Sequence, residues 1–270
     1  MNRIDKTFAE LKAQNKTALV GFLTAGDPDF DTSFEILKTA CTSGVDILEM
    51  GVPFSDPTCD GPVIQVASER ALKSGMTLTR TFELAKKLRS EVETPIVIFS
   101  YYNPLFKYGL DKLAEKLEEC GIDGVLIVDL PPEEAGPLRK AIANKEVHII
   151  RLAAPTTTEK RLNMLVDGAG GFLYLITRTG VTGTGGLNHS VVAKHAAAVK
   201  EICPLPVCLG FGISSGEDTK RLAPVADGLV VGSALIKIIA NAIDKATLPG
   251  EIREKIVELR SGMDEVRHSA

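Results

Sequence analysis

The sequence predicts an α/β fold, a (β/α)8 TIM barrel with extra N-terminal and C-terminal helices, on three observations. Eight short, nearly all-apolar runs punctuate the chain, and strands of that kind are buried on both faces, as in a parallel sheet covered by helices. Amphipathic stretches at helical spacing lie between the runs. Most run-to-run steps fit one strand–helix–strand unit of about 30 residues. A doubly wound sheet is the rival architecture, but it carries a glycine-rich fingerprint after its first strand, and here that strand runs into Thr24-Ala-Gly-Asp-Pro28. No composition break or Pro/Ser-rich linker divides the chain, so residues 1–270 are expected to form one barrel domain.

In order, the predicted strands are Ala18–Leu23, Asp46–Met50, Ile96–Ser100, Gly124–Val128, Val147–Leu152, Phe172–Ile176, Val207–Leu209 and Gly228–Val231. Ile4–Gln14 reads as a helix ahead of the repeat. Phe34–Thr42 follows the first strand, with Phe34, Leu37 and Cys41 on one face. After the second strand and a long loop there is room for two helices, Val63–Leu72 and Thr79–Arg89. Leu110–Cys120 repeats Leu110, Leu113, Leu117 and Cys120 at helical spacing. Thr158–Val166, Ser190–Ile202, Glu217–Leu222 and Ala234–Ala240 continue the alternation, and Glu251–Leu259 ends it.

Composition narrows the function. The chain has 270 residues, 44% hydrophobic and 24% charged, with a net charge of −4. No basic stripe stands out, which argues against nucleic acid as the main partner. The N-terminal segment has no apolar core of a signal peptide, and no apolar stretch approaches the roughly 18 residues of a membrane span. The five cysteines include no C-x-x-C pair. Reduced thiols in a cytoplasmic protein are expected, with neither a disulfide framework nor a metal site.

In such barrels the active site is built from the loops at the carboxyl ends of the strands. The second strand ends in Leu48-Glu49-Met50, and a carboxylate there is costly unless it is used or paired. The competing reading is a strand-end Glu facing solvent or tied to an Arg. The next loop, Gly51–Pro62, holds Asp56 and Asp60 between prolines that stiffen it. After the sixth strand come Gly180, Gly183, Gly185 and Gly186, after the seventh Gly210-Phe-Gly212, and after the eighth Gly232-Ser233 at a helix start. Glycines and helix starts let backbone N–H groups approach an anion, so this order points to a phosphate site. Ordinary barrel turns are the plain alternative.

Other chemistries fit less well. Gly212-Ile-Ser-Ser-Gly216 matches a hydrolase pattern, but His268 is the only histidine downstream. His148, His189 and His195 lack metal-ligand spacing, and no lysine lies in any predicted strand. Acid–base chemistry by carboxylates on a phosphorylated substrate remains.

The segment Glu49-Met-Gly-Val-Pro-Phe-Ser-Asp-Pro-Thr-Cys-Asp-Gly-Pro-Val-Ile-Gln65 resembles the signature of the tryptophan synthase α-subunit family. Gly21–Pro28, Tyr102-Asn103-Pro104, Val128-Asp-Leu-Pro131, Gly180-Val-Thr-Gly183, Gly210-Phe-Gly-Ile213 and Val231-Gly-Ser233 match it further. Thr58-Cys59, in place of a small apolar pair, and the glycine-rich Thr184–Leu187 depart from its pattern.

The resemblance implies retro-aldol cleavage of indole-3-glycerol phosphate into indole and glyceraldehyde 3-phosphate, in the last stage of L-tryptophan biosynthesis. It makes Glu49 the proton shuttle and Asp60 the acceptor of the indole N–H. It places the phosphate on Gly183, Gly212, Gly232 and Ser233, near Thr182, and the indole among Phe22, Tyr101, Val128, Leu152, Tyr174 and Phe211. It implies no cofactor in this chain, and a pyridoxal-phosphate β subunit as partner in an α2β2 heterotetramer. Residues 53–60, Asn103 and Pro131-Pro132 would face that partner. A non-catalytic binding subunit, or another phosphate-binding barrel such as an isomerase or flavin enzyme, stays open as an alternative. The sixth loop, Arg178–Asn188, is expected to close over bound ligand, since four glycines ease movement and closure would exclude water.

Overall fold

The computed structural model describes residues 1–177, 189–210 and 212–265. Within them the chain runs α1 (Arg3–Ala13), β1 (Ala18–Thr24), α2 (Phe30–Thr42), β2 (Ile47–Gly51), α3 (Pro62–Lys73), α4 (Leu78–Arg89), β3 (Ile96–Ser100), α5 (Tyr102–Tyr108) and α6 (Leu110–Glu119). It continues through β4 (Gly124–Ile127), a 3₁₀ turn at Pro132–Glu134, α7 (Gly136–Ile142), β5 (His148–Ala153), α8 (Glu159–Val166) and β6 (Leu173–Ile176). The last elements are α9 (His189–Ile202), β7 (Val207–Gly210), α10 (Gly216–Leu222), β8 (Gly228–Val231), α11 (Ser233–Asn241) and α12 (Leu248–Asp264). The strands are parallel and close into a barrel in the order β1 to β8, with β8 pairing β1.

Alternation along each strand divides the apolar side chains into two cores. Ala18, Val20, Ile47, Val97, Leu126, Ile150, Phe172, Tyr174, Cys208 and Val230 fill the barrel lumen. Leu19, Leu23, Leu48, Met50, Ile98, Val125, Leu175 and Leu229 belong to the layer under the helices. That two-sided burial is why the strands read as unbroken apolar runs. Helix α1 adds Ile4, Phe8 and Leu11 to the lumen core, and the Phe8 and Phe172 rings lie 5.9 Å apart. The extra N-terminal helix therefore plugs the end where the strands begin.

The strands begin against a repeated polar device. Asp46, Asp123 and Asp227 each precede an even-numbered strand, and each accepts a backbone N–H near the start of the strand before it. The donors are Leu19, at 2.7 Å, Ile96, at 2.8 Å, and Val207, at 2.8 Å. Each carboxylate also holds a cation. Asp46 pairs with Arg260, Asp123 with Arg3 and Arg89, and Asp227 with Lys200. Asp46 thus ties two strands together and is not itself a strand residue.

Other boundaries also differ from expectation, for local reasons. Helix α2 starts at Phe30 because the Asp29 side chain caps it, accepting the Thr32 N–H at 2.9 Å. Helix α12 starts at Leu248 because Pro249 is tolerated in a first helical turn. Helices α5 and α7 are additional; each is seven residues long with a proline near its start, too short for periodicity to show. Val128 lies just beyond β4. Among the described residues, no helix is long and apolar enough to cross a membrane.

Candidate active site

The carboxyl ends of the strands carry the predicted site. Register places Phe22 beside Glu49, and Leu152 beside Tyr174 and Cys208, all at inward positions. Val128 and Leu152 pack against the lumen core, together with Phe99 and Ile176. The Phe22 and Phe99 rings meet edge-on at 5.0 Å. Two glycines leave room for the aromatic rings. A Cβ on Gly51 would lie 2.7 Å from the Phe22 ring, and one on Gly210 would lie 2.1 Å from the Tyr174 hydroxyl. The absence of a side chain at these two positions gives the rings the space they occupy at the top of the lumen.

Glu49 stands among these side chains at 1% exposure, and both its carboxylate oxygens are buried without a hydrogen-bond partner. Burial alone pushes its pKa up to about 8, so the carboxyl is mostly protonated at neutral pH. The Tyr174 phenol is also raised, first by burial and then by the charges of Glu49, Cys208 and Asp60, so it keeps its proton. The Thr24 hydroxyl, at the end of β1, is a further buried group without a partner.

Asp60 is held differently. The Tyr101 hydroxyl donates to Asp60 Oδ2 at 3.2 Å and accepts the Cys59 N–H at 2.8 Å. Gln65 Nε2, from α3, donates to the Asp60 carbonyl at 2.9 Å and to the Pro57 carbonyl at 3.3 Å. The Phe54 and Tyr101 rings lie 5.1 Å apart. One tyrosine and one glutamine thus pin the loop that carries Asp60. Burial raises the Asp60 pKa to about 6, with the Tyr101 hydrogen bond pulling the other way. Asp60 is therefore mostly ionised at pH 7 while Glu49 is mostly neutral. Cys59 and Asp56 are exposed.

A second clamp lies below this loop. Arg70, on α3, holds the buried Asp27 with two parallel bonds, from Nε at 2.8 Å and Nη2 at 2.7 Å. It joins the loop after β1 to the helix that follows Asp60.

The helix starts near the seventh and eighth strands differ in how they are capped. Helix α10 has a capping box, with Ser215 and Asp218 each bonding the other's backbone N–H. Helix α11 has no side-chain cap; its N-cap is Gly232 and its first residue Ser233. Its first amides are thus free of side-chain partners and suited to an anion. Gly212 adopts a positive φ of 83°, which favours glycine. Thr182, Gly183, Phe211, the expected closure of Arg178–Asn188 and His268 fall outside the described residues.

The structure thus gathers Phe22, Glu49, Val128, Leu152 and Tyr174 in the lumen, with Asp60 and Tyr101 joined beside them. Sequence reading gave Tyr101 an apolar role and did not find its bond to Asp60, which only the fold creates. Phe99 and Ile176 could have been found from the inward alternation. Gln65 lay inside the quoted motif with no role attached. Arg70 carried no signal, because its partner lies 43 positions away.

Residues 8–264 match the family model described as Tryptophan synthase alpha chain. A curated tryptophan synthase alpha chain from Desulfatibacillum aliphaticivorans is 49% identical over 261 residues, covering 97% of this chain and 98% of that one. One from Desulfosudis oleivorans is 46% identical with the same coverage. The crystal structure of the alpha subunit from Legionella pneumophila str. Paris superposes with a TM-score of 0.91 at 35% identity, covering 98% of this chain and 100% of that one. An aminoacrylate-bound tryptophan synthase from M. tuberculosis gives a TM-score of 0.87 at 31% identity, covering 97% of this chain and 100% of that one.

Proposed function

Because the chain belongs to the tryptophan synthase alpha chain family, lyases that cleave indole-3-glycerol phosphate, we propose that Glu49 and Asp60 divide the proton work of that cleavage. The supporting observation is the difference between their surroundings. Glu49 is buried, unpaired and mostly neutral, whereas Asp60 is hydrogen-bonded and mostly ionised. Two carboxylates with separated pKa values mark out an acid and a base.

The reaction starts with the acid. Glu49 protonates C3 of the indole, while the Asp60 carboxylate accepts the ring N–H and stabilises the developing positive charge. Glu49, now ionised, removes the proton of the side-chain hydroxyl. The carbon–carbon bond breaks, its electrons return to the ring, and indole and glyceraldehyde 3-phosphate result. Glu49 is protonated again, so the cycle balances without another reactant. Phe22, Tyr101, Val128, Leu152, Tyr174 and Phe211 enclose the indole, and Gly183, Gly212, Gly232 and Ser233 bind the phosphate, with Thr182 beside them.

The partner is a β subunit that receives the indole, within an α2β2 heterotetramer. Residues 53–60, Asn103 and Pro131-Pro132 face it, and Asp129 Oδ1 supports that face by accepting the Tyr102 N–H at 2.7 Å. Pyridoxal phosphate belongs to that partner, and this chain uses its own side chains. Residues 1–270 act as one barrel domain in the cytoplasm.

The test incubates the purified chain with indole-3-glycerol phosphate, with and without a β subunit, and measures indole. Indole in both samples, faster with the partner, supports the reading; none in either opposes it.

A further inference from the structure

On the outer face of β5, away from the lumen, Arg151 is only 3% exposed. Its Nη1 donates to the Leu130 carbonyl at 2.9 Å, but Nε and Nη2 are buried without a partner. Arg139, from α7, reaches the same turn and donates to the Pro132 carbonyl at 3.1 Å. Arg161, from α8, pairs with Glu133 on the 3₁₀ turn. Three guanidinium groups thus surround the segment Leu130–Glu133 with Glu133 as the carboxylate among them. Carbonyls satisfy N–H groups but do not neutralise charge. Arginine stays protonated in proteins, so the buried cation cannot relieve its cost by losing a proton.

The same molecule shows what fills such a fork. Arg70 uses its Nε and Nη2 to hold both oxygens of Asp27. On Arg151 that same edge is buried and has no hydrogen-bond partner. We propose that Arg151, with Arg139 and Arg161 beside it, forms a binding site for a small oxyanion, a carboxylate or a phosphate monoester, on the outer side of the β4 and β5 ends. Glu133, exposed and held by Arg161, is the gate: an incoming anion takes its place on Arg161 and reaches the unpartnered edge of Arg151. Arg151 is held below its ordinary pKa by burial and then by repulsion from Arg139 and Arg161, and the charge of a bound anion offsets that repulsion. The bound ion would also fix the Leu130–Glu134 turn, next to Asp129 and the Tyr102 amide that it caps.

The site is distinct from the substrate pocket, so its test must resolve the two. Inorganic phosphate and acetate are titrated separately into the full chain at constant ionic strength. The readouts are the Arg151 Nε–H resonance and the backbone amides of residues 130–135. One of the two ions should give a saturable shift of these signals, and which ion does so identifies the ligand class. Arg151→Met should abolish the response. Arg139→Gln and Arg161→Gln change half-exposed side chains and keep the fold, and each should weaken binding about tenfold, as expected for one charge-assisted pair. The proposal is overturned if neither ion shifts these signals, if phosphate moves only Gly232 and Ser233, or if the Arg139 and Arg161 variants bind as the parent does.

Discussion

The two ends of the barrel differ in how the polar side chains at the strand ends are partnered. At the end where the strands begin, Asn2, Thr17, Asp46, Asp123 and Asp227 all have partners. Three of these groups repeat one device, a carboxylate that accepts a neighbouring strand's N–H while holding a cation. At the end where the strands finish, Glu49 and the Thr24 hydroxyl are buried with none. Unpaired buried polar atoms cost stability, so the contrast separates a region built to hold the fold from one that leaves Glu49 unpaired, as its proposed acid–base role requires.

Substitutions at the two ends should therefore fail in different ways. The largest effect is expected from Glu49→Gln, which keeps the shape and removes the exchangeable acid. Indole formation should fall about 10⁴-fold, at the upper end for a positioned acid–base group, with the thermal midpoint unchanged or higher. At the other end, Asp123→Ala strands Arg89 and Arg3 and frees the Ile96 N–H. Denaturant unfolding should show a loss of about 3 kcal/mol, with turnover per folded molecule unchanged.

Asp60→Asn keeps an acceptor oxygen and loses the charge. A fall of about 10²–10³-fold in single-turnover cleavage is expected, as for loss of one preorganised electrostatic contact. If Asp60→Asn proved worse than Glu49→Gln, the two roles would have to be exchanged.

Stability against pH sharpens the contrast. The Glu49 pKa is about 8 in the folded chain against an ordinary 4.5, so the unfolded chain releases that proton first. The folded state binds more protons across this window, and stability must fall as pH rises from about 5 to 8. Asp60, raised to about 6, adds to the same slope at its lower end. Chemical denaturation across this range should show Glu49→Gln gaining on the parent as pH rises. Parallel curves would show that Glu49 is not desolvated. The smallest effect is expected at Cys59, which is exposed and whose backbone N–H, not its thiol, donates to the Tyr101 hydroxyl. Cys59→Ala should retain most of the turnover rate.

The strands were legible because each is covered on both faces, which writes a plain apolar run into the chain. Glu49 was legible for the same reason, as a charge ending such a run. The rest is spatial. Nothing local shows that Asp46, Asp123 and Asp227 tie neighbouring strands, since each N–H they accept lies 20 to 27 positions earlier. Tyr101 read as an apolar wall because its hydroxyl finds Asp60 only when the loop after β2 folds over β3. Arg151 sits in a strand run as an apparent exception, and only the packing of α7 and α8 shows that its guanidinium is buried.

The central claim is that burial keeps Glu49 protonated so that it can act first as an acid. The direct measurement is the carbon-13 titration of the Glu49 carboxyl, set beside the pH dependence of single-turnover cleavage. The carboxyl should titrate near pH 8, and the cleavage rate should fall with the same midpoint as pH rises. A Glu49 carboxyl that titrates near 4.5 in the active protein, or a rate that holds level through pH 8, would contradict the account.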